Sequence, residues 1–79
     1  MDEREELKQE LQWMKYRMNM LDIMEKKLLQ MKELAEQVKN NNLTEKEYEV
    51  LNLRLNDLAA QVRALDEESR KAGNEKILE

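Results

Sequence analysis

Carboxylates are the only groups in this sequence with the number and spacing to suggest chemistry. Glu33 and Glu36 lie on one helical face, Glu45 and Glu49 share another, and Asp66, Glu67 and Glu68 are contiguous. Inward-facing glutamates hold di-iron centres in helical bundles, but those centres also take Glu-x-x-His, and histidine is absent. Cysteine is absent as well, which removes the commonest general base, nucleophile and metal ligands. The hydroxyls are Thr44, Ser69, Tyr16 and Tyr48. Thr44 is explained by helix capping and Ser69 by a weak seam position, so neither reads as an activated nucleophile. The expectation is a non-enzymatic chain with no catalytic, cofactor-binding or metal-binding residues, its carboxylates lying on solvated helix faces.

Composition says what kind of scaffold carries them. The chain has 79 residues, no proline, one glycine and 41% charged residues, which reads as a single all-α domain over 1–79. Its net charge of −4 argues against a nucleic-acid partner, which requires a basic footprint. No apolar run is long enough to span a bilayer and no signal-peptide pattern opens the chain, so the expected location is cytoplasmic.

The organising stretch is Asn40-Asn41-Asn42-Leu43-Thr44-Glu45-Lys46-Glu47-Tyr48. Asparagines are poor helix residues that tolerate left-handed geometry. Thr44 and Glu47 then form a Thr-x-x-Glu capping box, with Leu43 and Tyr48 spaced as a hydrophobic staple. The pattern predicts a helix over about 3–39, a turn over 40–44 and a second helix over about 45–72. Gly73-Asn74 reads as a C-terminal cap, leaving a loose tail over 73–79, and the acidic first segment reads as a frayed helix start.

Apolar spacing adds a seam to each helix. Leu7, Leu11, Met14, Met18 and Leu21 alternate steps of four and three, then Met24, Leu28, Met31, Ala35 and Val38 resume after a skipped residue, a stammer. Trp13, Tyr16, Met20 and Ile23 make a second stripe beside them. On helix 2, Tyr48, Leu51, Leu55, Leu58, Val62 and Leu65 step regularly, fading through Ser69 and Ala72. A hairpin turn sets Leu34 against Val50 or Leu51, Leu21 against Val62, and Met14 near Ser69 and Arg70. Residues 3–12 overhang. The most apolar part of helix 1 thus faces the least apolar part of helix 2. Helix 1 from Trp13 to Lys39 is net basic and helix 2 from Glu45 to Glu68 net acidic, which favours their pairing.

A single helix–helix interface rarely stabilises so small a domain by more than about 3–5 kcal/mol. The expected assembly is therefore a homodimer, a four-helix bundle or coiled coil. Its interface is expected to comprise Leu11, Trp13, Met14, Tyr16, Met18, Met20, Leu21, Ile23 and Met24. A methionine-rich face also suits an apolar helix of another protein, an adaptor or chaperone role. Lys15, Arg17, Lys26 and Lys27 beside it would permit weak contact with an anionic membrane surface, the least favoured of the three readings.

Residues 31–54, from Met31-Lys-Glu-Leu-Ala-Glu through Thr44-Glu-Lys-Glu-Tyr to Leu53-Arg54, resemble the YnzC-like small bacterial helical hairpins. They are also similar to the SHOCT-type oligomerisation hairpin, with its Thr-x-x-Glu-Phe/Tyr start. Both families usually have glycine where this chain has Asn41 or Asn42. The resemblance implies an antiparallel bacterial hairpin with no catalytic residues to carry over. The small sporulation phosphatases that act on response regulators are short helical hairpins too. Their Ser-Gln-x-x-Asp signature is missing from Asn52-Leu53-Arg54-Leu55-Asn56-Asp57, which leaves a regulatory phosphatase as the third alternative. The function expected is that of a self-associating interaction or regulatory module.

Overall fold

Asp2 starts the first helix. Its carboxylate accepts a hydrogen bond from the Glu5 amide at 2.9 Å, satisfying one of the free N–H groups of the opening turn, while Glu3, Glu5 and Glu6 complement the helix dipole. The computed structural model describes residues 2–78, with side chains over 2–72. Helix α1 spans Glu3–Asn40 and helix α2 spans Glu45–Leu78. They pack as an antiparallel pair 62 Å long, as expected for an all-α hairpin.

The turn reverses the chain without left-handed residues. Asn41 is extended, with φ −115° and ψ 145°, and its amide donates to the Gln37 carbonyl at 3.1 Å. No described residue has positive φ, so the asparagines serve as weak helix formers rather than as left-handed pivots. Thr44 caps α2: its Oγ1 accepts from the Glu47 amide at 3.2 Å, and its carbonyl accepts from the Tyr48 amide at 3.0 Å. The return bond from Glu47 is not among the hydrogen bonds of the described residues. Leu43 is half-buried, and Tyr48 joins Val38 and Leu55 around a shallow hollow beside the turn. Losing such a cap costs about 1 kcal/mol. Thr44→Ala should lower the unfolding free energy by that amount in urea, with Thr44→Ser close to wild type.

One expectation about a helix end is corrected. α2 does not stop at Gly73 but continues to Leu78, and Glu79 lies outside the described residues. A lone glycine costs a helix about 1 kcal/mol relative to alanine, which does not by itself end a long helix.

The seam of α1 is also corrected. Every residue of α1 that is not exposed belongs to one series: Trp13, Arg17, Met20, Met24, Lys27, Met31, Leu34 and Val38. The steps are four, three, four, three without interruption, so the stammer does not exist. The facing series on α2 is equally regular, running Leu51, Leu55, Leu58, Val62, Leu65, Ser69 and Ala72, with Ala59, Gln61 and Asp66 on its shoulders. Met24, Leu34 and Ser69 are the described residues buried outright.

Candidate functional site

Two polar layers cross the helix interface and fix its register. In the first, Lys27 donates to Gln61 Oε1 at 2.6 Å, and Gln61 Nε2 donates to Asp57 at 2.8 Å. In the second, the Arg17 guanidinium donates to Ser69 Oγ and to Asp66 Oδ1 at 3.3 Å. Ser69, fully buried, donates in turn to the Asp66 carbonyl at 3.2 Å. Arg17 and Lys27 occupy interior heptad positions because their alkyl stems pack in the seam while their charged ends reach partners on α2. A one-turn slip would strand these groups, so the layers select a single alignment.

Asp66 is the hub of the second layer. Arg70, one turn on, donates Nε to its carboxylate at 3.1 Å. The hydrogen bond from Arg70 holds the Asp66 carboxyl below its ordinary value of 3.8; loss of water works against that, and Arg17 adds to the lowering. A carboxyl more acidic in the folded than in the unfolded chain stabilises the fold fully above the unfolded value. That contribution fades as pH falls through the lower folded value. Asp66→Asn should therefore melt below wild type at pH 7, and the gap should close on acidification below about pH 4. Of the predicted charge complementarity, Arg17–Asp66 is the ion pair between helices among the described residues, whereas Lys26–Asp22 at 3.5 Å lies within α1.

Glu33 and Asp57 flank a hollow lined also by Gln30, Gln37 and Arg54. Among the described residues no three acidic groups converge as a metal site.

The nine residues expected at an interface fall into three sets. Trp13, Met20 and Met24 face α2, with Met24 6% exposed. The Trp13 indole N–H is shut from water without an acceptor among the described residues. Tyr16 and Ile23 are exposed on the flank that continues through Gln30 and Gln37, the polar side of the hairpin. Leu11, Met14, Met18 and Leu21 are exposed on the opposite flank, and there Leu21 and Leu28 border a groove floored by Met24, Ala59 and Val62.

That last set continues a heptad series at both ends. Leu7, Leu11, Met14, Met18, Leu21 and Leu28 are 46–67% exposed, and only Glu25 interrupts them. Sequence reasoning found Leu7 through Leu21 as one series and placed Leu11, Met14, Met18 and Leu21 in an intermolecular interface, with Leu7 in the overhang. Leu28 was assigned to the hairpin seam instead, because Arg17 and Lys27 hide the true seam from any count of apolar positions.

The same flank of α2 is polar, presenting Asn52, Asn56, Arg63, Asp66 and Arg70 around Ala59. The apolar face thus belongs to α1 alone. Large apolar side chains gathered in one stripe mark an interaction surface, where scattered ones would not.

No helix among the described residues is long and apolar enough to cross a membrane. In comparisons with known proteins, no family model, curated protein or solved structure matches the chain.

Proposed function

We propose that this chain is a non-enzymatic, self-associating helical hairpin that acts as an interaction or regulatory module in the cytoplasm. The observation that carries the reading is the exposed heptad stripe of α1 from Leu7 to Leu28. A stripe with alternating four and three spacing is the pattern that packs against another helix, and α2 is already committed to a different face. The small buried core of the hairpin, centred on Met24 and Leu34, supports the same reading, because covering the stripe would supply apolar burial that the isolated hairpin lacks. The likeness of residues 31–54 to oligomerising hairpins agrees with it.

The second reading is an adaptor whose stripe takes an apolar amphipathic helix of another protein, favoured by the flexible side chains of Met14 and Met18. Sedimentation of the full chain at micromolar concentration separates the two. Twice the chain mass is the expected result, and a folded monomer throughout would favour the adaptor.

A further inference from the structure

Resting on the self-association reading, we infer that the stripe is covered by α1 of a second copy running antiparallel, about a two-fold axis close to Met18. Met18 stands near the middle of a stripe bounded by Leu7 and Leu28. Reversal about it sets Leu7 against Leu28 and Met14 against Leu21, apolar against apolar, and leaves Leu11 level with Glu25. A two-fold contact of this kind presents one patch to itself and closes without further copies.

Charge decides between the two directions. Glu25 is the single charged member of the stripe. In a parallel pair it would face its own copy across an apolar seam, placing like charges together where water is scarce. Antiparallel packing removes that self-contact and carries Glu25 to the level of Glu10 and Leu11 of the second copy, with Lys8 and Lys15 to either side on the outer edge of that helix.

The ends agree. Parallel packing would align Asp2, Glu3, Glu5, Glu6 and Glu10 with themselves, whereas reversal brings them to the stretch holding the exposed Lys26 and Lys32. It also brings Glu10 of the second copy toward Arg63, which rims the groove beside Leu21 and Leu28 and makes no ion pair among the described residues. The contact lies between the two α1 helices rather than equally among four, because the adjoining flank of α2 is polar.

Spin-label distances in the full chain test the arrangement, since the sequence contains no cysteine to interfere. Gln12→Cys and Asn19→Cys, each labelled separately, leave every apolar residue of the stripe and the cations beside Glu25 in place. With a rise of 1.5 Å per residue, antiparallel packing sets the two Gln12→Cys labels about 17 Å apart along the axis and the two Asn19→Cys labels about 4 Å apart along it. A parallel pair places both sets of labels at the same level. A dimer whose Gln12→Cys labels are as closely spaced as its Asn19→Cys labels overturns the antiparallel register and leaves self-association standing. A monomeric mass in the same samples overturns both.

Discussion

Met18→Asp should convert the chain to a monomer with its helices intact. Met18 is the most exposed residue of the α1 stripe, at 67%, and lies outside the series of residues that packs against α2. A carboxylate there costs the isolated hairpin little. In a two-fold dimer the substitution enters twice, placing two charges near the axis on an apolar seam. Burying such a group without partners costs several kcal/mol, and about 2.7 kcal/mol already corresponds to a hundredfold weaker dissociation constant. Sedimentation should show the mass halved at concentrations where wild type is dimeric. Far-ultraviolet dichroism in the cold should stay strongly helical, with a lower melting temperature because assembly no longer stabilises the fold. An unchanged mass with unchanged melting would remove Met18 from any interface.

Met24→Asp should do the reverse. The chemical change is identical and only six residues away, but Met24 is 6% exposed and points into α2. Truncating a buried methionine alone costs about 2–5 kcal/mol, and the stranded carboxylate adds to it. Against a core worth about 3–5 kcal/mol, the hairpin should lose most of its helical signal at 25 °C. Met24→Leu, which conserves volume, should cost less than about 1.5 kcal/mol. Retention of cooperative melting by Met24→Asp would mean that Met24 does not hold the two helices together. The pair of aspartate variants thus separates the face that folds the chain from the face that binds.

Much of the architecture was legible in the sequence. Helix content followed from composition, and the position of the turn followed from three asparagines and a threonine cap. The register was correct to within a turn: Asp66, Ser69 and Arg70 do sit opposite the Trp13–Met18 region. Assignment of faces was not legible by counting apolar residues. Arg17 and Lys27 occupy interior positions, so the binding stripe looked like the better seam and a skipped residue was needed to join it to Met24 and Val38. Stepping back from Val38 by four and three, with long basic side chains admitted, recovers the whole seam. The end of α2 misled for a different reason. Gly73 is suited to a cap, but being suited to one does not oblige the chain to stop.

The single short turn has a kinetic corollary. Contacts beside Asn41–Thr44 close a small loop, while Arg17 meets Ser69 across 52 positions of sequence and Lys27 meets Gln61 across 34. Closing a longer loop loses more chain entropy, so the helices should zip from the turn outward and unzip from the free ends inward. Amide exchange should then be slowest between the turn and Lys27 and quicken toward Trp13. The stripe occupies that faster-opening half. A second helix laid along it would clamp the open end of the zipper, and slowed exchange there on raising the protein concentration would be its signature.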